Sequence, residues 1–91
     1  MNKSELVKAL AEKNSLPPEE AALIVNTFFD TIRQALLDGR RVEIRGLGSL
    51  KIKEYQGYVG RNPRTGAEVT VPPKRLPFFR AGKDLKDFVN S

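Results

Sequence analysis

Residues 40–66 read RRVEIRGLGSLKIKEYQGYVGRNPRTG, and their pattern predicts two strands, a glycine turn and a hairpin. The first half of this stretch alternates apolar with polar or charged side chains at a period of two, which is typical of half-buried strands. The apolar positions are Val42, Ile44, Leu50 and Ile52. Gly46 and Gly48 predict a tight turn between the two strands. Because strand side chains alternate between faces, Lys51 and Lys53 should share the exposed face of the second strand.

The second half of this stretch, continued to Pro73, is rich in Gly and Pro and poor in apolar side chains. Within it, Asn62 suits the first position of a turn, Pro63 presets the second, and Gly66 can adopt a left-handed backbone. We therefore expect residues 54–73 to form a protruding two-stranded arm rather than a disordered loop. An isolated hairpin is marginally stable in water, so the arm should be mobile until it binds something.

Helical patterns precede this stretch. Asn2 is a candidate cap for a first helix that ends near Lys13, and Pro17–Pro18 suits the start of a second helix that Gly39 closes. After the arm a third strand begins at Lys74, and Pro77 should confine it to a sheet edge or a bulge.

A short C-terminal helix should follow Gly82, with Leu85, Phe88 and Val89 on its buried side. The predicted fold class is α+β: two N-terminal helices, a three-stranded antiparallel sheet with a long arm, and a short closing helix. We expect one domain over residues 1–91, divided into a helical dimerisation body 1–39, a sheet saddle 40–53 and 74–81, the arm 54–73 and the C-terminal helix 82–91.

Too many apolar side chains are present for one small body to cover, because a domain of 91 residues buries only a modest share of its surface. On the second helix, Leu23 and Phe29 fall off the main apolar stripe and suggest either a broad core face or a second face that packs on a sister subunit. We expect a dimer. The candidate interface residues are Leu23, Phe28, Phe29, Ile32, Leu47, Leu50, Phe78 and Phe79.

The composition argues against catalysis. There is no Cys and no His, which removes disulfides, thiolate and imidazole metal sites and the commonest nucleophile and base. No paired carboxylates or glycine-rich phosphate loop stand in a catalytic context. We expect no enzyme activity and no cofactor. The N-terminal segment has no apolar run long enough for a signal peptide or membrane span, so a cytoplasmic protein with no membrane partner is expected.

Charge is divided unevenly along the chain. Residues 1–39 have four basic against six acidic side chains, a net −2, whereas residues 40–86 have twelve basic against four acidic, a net +8. A charge run is usually a solvated face, but an asymmetry this large within one domain indicates a surface for a polyanion.

The candidate DNA-binding residues form three groups. Arg61, Asn62, Pro63 and Arg64 at the arm tip combine cations, an amide and an apolar wedge, the residue types that enter the minor groove and unstack a base step. The sheet and the base of the arm offer cations to phosphates, and Gly46 and Gly48 either make the turn only or let backbone amides approach a phosphate. The positions are Lys51, Lys53, Lys74, Arg75 and Arg80 in strands, and Lys3, Lys83 and Lys86 near helix starts.

Two further features remain open. Glu43 beside Arg45 predicts either an ordinary salt bridge or a pair that reads base edges. Tyr55 and Tyr58 predict cross-strand packing or, less simply, the base stacking of a single-strand binder.

The segments NKSELVKAL at 2–10, RVEIRGLGSLKIKE at 41–54, GRNPRTG at 60–66 and PFFRAGKDLKD at 77–87 resemble the bacterial histone-like HU and integration host factor family. The resemblance covers essentially the whole chain. It implies an intertwined, nucleoid-associated dimer whose two arms enter the minor groove of double-stranded DNA and kink it, compacting or organising the chromosome. By position it implies a wedge at Pro63, a groove-entering Arg61, saddle contacts at Gly46, Gly48 and Lys51, and backbone contacts from Lys3, Lys83 and Lys86.

The chain departs from that family's usual pattern at Tyr55 and Tyr58, where basic side chains are common, and at Leu47 and Leu50, where phenylalanines are usual. Within the family two alternatives remain: a sequence-tolerant homodimer, or a sequence-preferring subunit of a heterodimer, for which the segment with Glu43 and Arg45 is the argument. A single-stranded nucleic-acid binder is the alternative from another class.

Overall fold

The structure is a computed structural model and describes residues 1–91. It contains three helices and five strands, which confirms the predicted α+β class. In chain order they are α1 (Lys3–Asn14), α2 (Pro18–Leu37), β1 (Val42–Ile44), β2 (Gly48–Tyr55), β3 (Tyr58–Arg61), β4 (Glu68–Val71), β5 (Lys74–Ala81) and α3 (Lys83–Val89).

The helical pair begins and ends where the sequence indicates. The Asn2 side chain accepts a hydrogen bond from the backbone N–H of Glu5 at 2.9 Å, and α1 stops at Ser15, which adopts a left-handed backbone. The second helix follows Pro17 and packs against α1. Only Ala21 and Val25 of α2 are buried, so a single chain has almost no core of its own.

The main sheet has the order β1-β2-β5 and is antiparallel throughout. Pro77 lies on the edge strand β5 opposite Ile52, as predicted, where its missing N–H can face solvent. Strand alternation gives the sheet one apolar face, which includes Leu50, Ile52 and Phe79, and one polar face. Helix α2 contacts β1 and β2.

The arm is a separate two-stranded sheet of β3 and β4. It is separated from the main sheet by Gln56–Gly57 on one strand and Pro72–Pro73 on the other, and the prolines have no N–H to continue the ladder. A Cβ on Gly57 would lie 2.7 Å from the carbonyl oxygen of Val71, so only glycine fits where the strands cross.

The two tyrosines do not pair with each other across the strands. Tyr55 lies opposite Lys74 in the main sheet, and Tyr58 lies opposite Val71 in the arm. Each ring therefore has a cross-strand neighbour, as the sequence predicts, and the break at residues 56–57 places the two tyrosines in different sheets.

The single chain is far from compact. Its radius of gyration is 19.3 Å, whereas a compact chain of this length has about 12 Å. Its accessible surface is 7839 Å², compared with about 5,300 Å² for a folded monomer of this mass. Part of the excess is the arm and part is apolar surface on α2, where Leu23 is 66% exposed.

The C-terminal helix differs from the prediction. Phe88 and Val89, expected on its buried side, are 77% and 71% exposed within the chain, and only Leu85 of the predicted set is half-buried. The reason is that α3 has only seven residues and follows the edge of the sheet, where a single chain offers little surface to cover them. None of the three helices is both long and apolar enough to span a membrane.

Candidate nucleic-acid interface

The polar face of the main sheet gathers most of the predicted phosphate ligands. The register of β2 against β5 places Ser49 opposite Arg80 and Lys51 opposite Phe78, and these positions share one face with Lys53. We call this surface the cationic face; it comprises Arg41, Glu43, Ser49, Lys51, Lys53, Tyr55, Lys74, Leu76, Phe78 and Arg80. Five of these ten residues are cations and one is acidic.

Phe78 and Phe79 point to opposite faces of the sheet, although both were expected at the dimer interface. Consecutive strand residues point to opposite faces, so only one of the two can join the apolar face. That one is Phe79, whose ring lies so close to Gly48 that a Cβ there would be 2.9 Å from it. Phe78 lies on the cationic face, with the Lys53 Nζ 3.7 Å from its ring centroid.

Arg75 is likewise separated from the lysines with which it was grouped. It lies opposite Glu54 in the register, and its Nε approaches the Glu54 Oε1 at 3.7 Å on the other side of the sheet from Lys74. Alternation explains the separation. The structure therefore brings Lys51, Lys53 and Lys74 together and leaves Arg75 apart.

Glu43 forms its salt bridge with Arg41 and not with Arg45. The Arg41 Nε lies 3.1 Å from the Glu43 Oε1, and the Arg41 Nη2 donates to the Ser49 Oγ at 3.4 Å. Arg41 is not among the site residues predicted from the sequence. The alternation of Arg41, Glu43 and Arg45 around Val42 and Ile44 was the signal that could have found it.

Beside the cationic face, a second surface lies between the turn after β1 and the start of α3. It is concave and encloses a volume of about 880 Å³. The N–H of Gly82 donates to the Leu47 carbonyl oxygen at 2.9 Å and ties the two segments together. This surface brings together seven predicted residues, namely Glu43, Arg45, Gly46, Gly48, Arg80, Lys83 and Lys86.

The two glycines of the turn have different structural reasons. At Gly46 a Cβ would meet nothing, but the backbone φ of 85° is left-handed and favours glycine. At Gly48 a Cβ would collide with the backbone oxygen of Arg80. Packing alone therefore explains Gly48, whereas Gly46 is needed for the turn and leaves open space above it.

The arm tip is a hydrogen-bonded turn. The N–H of Gly66 donates to the Asn62 carbonyl oxygen at 2.8 Å, and the Asn62 Oδ1 accepts from the N–H of Arg64 at 2.9 Å. The Asn62 side chain therefore builds the turn with its oxygen. Pro63 and the two arginines are exposed, and neither Arg61 nor Arg64 forms a salt bridge.

Lys3 lies neither on the cationic face nor on the second concave surface. It lies in the first turn of α1, and its Nζ donates to the Asn26 Oδ1 of α2 at 2.8 Å. Of the predicted cations, it is the one that the structure ties to the helical body rather than to the sheet.

Comparison with known proteins gives consistent matches over the whole chain. A family model described as bacterial DNA-binding protein matches residues 1–90. The chain is 46% identical to DNA-binding protein HRL18 of Rhizobium leguminosarum over 91 residues, which is all of both chains. It is 42% identical to DNA-binding protein HU 1 of Bacillus subtilis over 89 residues, covering 98% of this chain and 97% of that one.

Solved structures agree with the sequence matches. An Anabaena HU–DNA cocrystal structure superposes with a TM-score of 0.85 at 38% identity and covers 98% of this chain and 97% of that one. HU from Thermotoga maritima superposes with a TM-score of 0.68 at 30% identity, covering 98% of each chain.

Proposed function

We propose that this chain, which belongs to the bacterial DNA-binding protein family, is an architectural protein that binds double-stranded DNA as a dimer and bends it. The observation that carries this proposal is the cationic face, where cations from three strand segments converge on one side of the sheet. The role is structural rather than catalytic, and its place is the nucleoid.

The dimer follows from the apolar surface that a single chain leaves open. Leu23, Phe28 and Phe29 of α2 are exposed, and Phe79 is 44% exposed on the apolar face of the sheet. Interfaces of obligate dimers bury about 2,000–5,000 Å² in total and are rich in such side chains. A second copy of the chain would cover α2 and the apolar face together, in an intertwined arrangement.

Two sheets in such a dimer would form a saddle with the cationic faces toward the DNA. Lys51, Lys53 and Arg80 would neutralise phosphates, and Lys83 and Lys86 would extend the contact at the edge of the second concave surface. Ion pairs on the face are few, since Glu43 is its only acid, so most of its charge is free to act on DNA.

The arms would supply the bending. Ten residues separate Lys53 from Pro63, and at about 3.3 Å per residue the extended strand spans roughly one helical turn of DNA. Arg61 and Arg64 at the tip would enter the minor groove, and the Pro63 ring would wedge a base step open.

Sequence-tolerant binding by a homodimer is the form of the function that the site supports best. A pair that reads base edges would require Glu43 to orient Arg45, but Glu43 holds Arg41 instead, and Arg41 is held a second time by Ser49. A heterodimer with a paralogous subunit would preserve the same saddle.

Two measurements on the purified chain test the proposal. Light scattering should give twice the chain mass of 10.2 kDa, and a dimer should remain on a short duplex. Titration of a 30-base-pair duplex and of one of its strands at several salt concentrations should show tighter binding to the duplex and a steep loss with salt. A monomer mass, or equal binding to strand and duplex, would contradict the proposal.

A further inference from the structure

Phe78 is a large apolar side chain in the middle of the cationic face. Its register partner is Lys51, and it is 38% exposed. The Lys53 ammonium lies over the ring, 3.7 Å from its centroid. The ring lines a concavity of about 300 Å³ whose other lining residues are Arg41, Ser49, Lys51, Lys53 and Arg80.

Packing on the apolar face of the sheet does not explain this ring. The neighbouring Phe79 supplies the aromatic group of the apolar face, and Phe78 points to the opposite side. An aromatic side chain surrounded by cations on a polar surface is the combination that binds single-stranded nucleic acids, where the ring stacks on a base and the cations follow the backbone.

We propose that the Phe78 ring is a stacking platform for one unpaired nucleobase of a DNA that lies on the cationic face; this inference rests on the proposed DNA binding of that face. The base moves to the ring and not the ring into the helix, because Phe78 lies within a concavity and does not protrude as a wedge does. A base that is already unpaired, in a bulge or a gap, reaches the platform without the cost of leaving a stack.

The surrounding side chains suit the rest of such a nucleotide. Lys51 lies across from Phe78 on the neighbouring strand, and Arg80 lies two residues further along the same strand. Both cations can therefore meet the phosphates on either side of the stacked nucleotide. Lys53 forms no salt bridge, so its ammonium can move from the ring to a phosphate without breaking an ion pair. The Ser49 hydroxyl offers a donor and an acceptor to a base edge.

The test distinguishes stacking of the bulged base from the easier bending that a bulge also allows. Two duplexes of the same sequence are compared, one with a single bulged adenine and one with an abasic nucleotide at the same bulge. Both bend easily, but only the first offers a base to stack. The wild type should bind the adenine bulge more tightly than the abasic bulge by on the order of ten-fold. In Phe78→Ala this ratio should fall close to one, while the salt dependence of binding to the intact duplex should be unchanged because every cation remains.

Phe88→Ala is the matched control, because Phe88 is an exposed phenylalanine outside the concavity and its loss should preserve the ratio. The variant Phe78→Trp adds a direct signal, since the chain has no other Trp. Its fluorescence should be quenched by the adenine bulge and not by the abasic bulge.

Equal ratios in the wild type and Phe78→Ala, or an equal loss of affinity of Phe78→Ala for bulged and intact duplexes, would overturn the stacking platform. In those cases the proposed duplex binding would still stand. If the wild type bound no duplex at all, the proposed function itself would fail.

Discussion

Replacing Pro63 with Ala should reduce DNA bending much more than DNA binding. None of the hydrogen bonds that hold the arm tip uses Pro63: Gly66 donates to Asn62, Arg64 donates to the Asn62 side chain, and Asn62 donates to Ala67 at 2.9 Å. The turn should therefore form in the variant. Losing the fixed backbone angle of proline costs about 0.4–1 kcal/mol, mostly through the unfolded chain, and this local cost does not reach the cationic face.

The expected change in binding is small because every cation remains. The salt dependence should be the same in both proteins, since it counts the phosphates that are neutralised. The Pro63→Ala variant lacks only the apolar ring, whose insertion would offset the cost of a few kcal/mol for unstacking the kinked base step. Affinity for an intact duplex should thus fall by about ten-fold or less, which corresponds to about 1.4 kcal/mol. A duplex with a nick at the kink position should lose almost nothing.

End-to-end energy transfer on a short duplex labelled at both ends, with each protein at saturation, measures the bend directly. The wild type should bring the ends closer than Pro63→Ala does, and a nick should restore most of the difference. Thr65→Ala is a useful control, because it changes the same turn without removing the ring. Equal transfer for the wild type and Pro63→Ala would refute the wedge and leave Pro63 as a turn residue only.

Three more predictions concern the dimer and the saddle. The melting temperature should rise with protein concentration over a hundredfold range, and Phe79→Ala should lower stability by about 3–5 kcal/mol in thermal unfolding; a concentration-independent transition would contradict the dimer. Lys51→Ala and Lys83→Ala should each reduce the salt slope of duplex binding by about one unit, with similar losses on all sequences, and an unchanged slope would remove that residue from the interface. Glu43→Ala should strengthen binding to every duplex by freeing Arg41, without changing the ranking of sequences in a competition assay; an altered ranking would restore a base-reading role for Glu43.

The sequence was sufficient for the elements because their signals are local. The cap at Asn2, the prolines before α2, the period of two around Ile44 and the turn at Asn62 each depend on a few neighbouring residues, and all are found in the structure. The edge position of Pro77 is one of the two that the sequence allowed, and it too depends on one residue, because proline cannot donate to a ladder.

The site was less predictable because it depends on register. The grouping of Phe78 with Phe79, and of Arg75 with Lys74, joined neighbours in sequence that strand alternation separates. The partner of Glu43 could not be chosen between two arginines at the same spacing until the side-chain geometry was known. The exposure of Phe88 and Val89 depends on what surrounds α3, which a pattern of apolar positions does not contain.

The interruption between the main sheet and the arm separates the stability of the two parts. Because Pro72 and Pro73 lack N–H groups, the ladder of backbone hydrogen bonds does not continue across residues 56–57 and 72–73. The hairpin of β3 and β4 can therefore open and close while β2 and β5 stay paired. Backbone amides of the hairpin should exchange with solvent by local opening, and those of the main sheet only by global unfolding. The arm is in this sense a low-stability attachment whose length could change by pairs of residues, one in each strand, without disturbing the saddle.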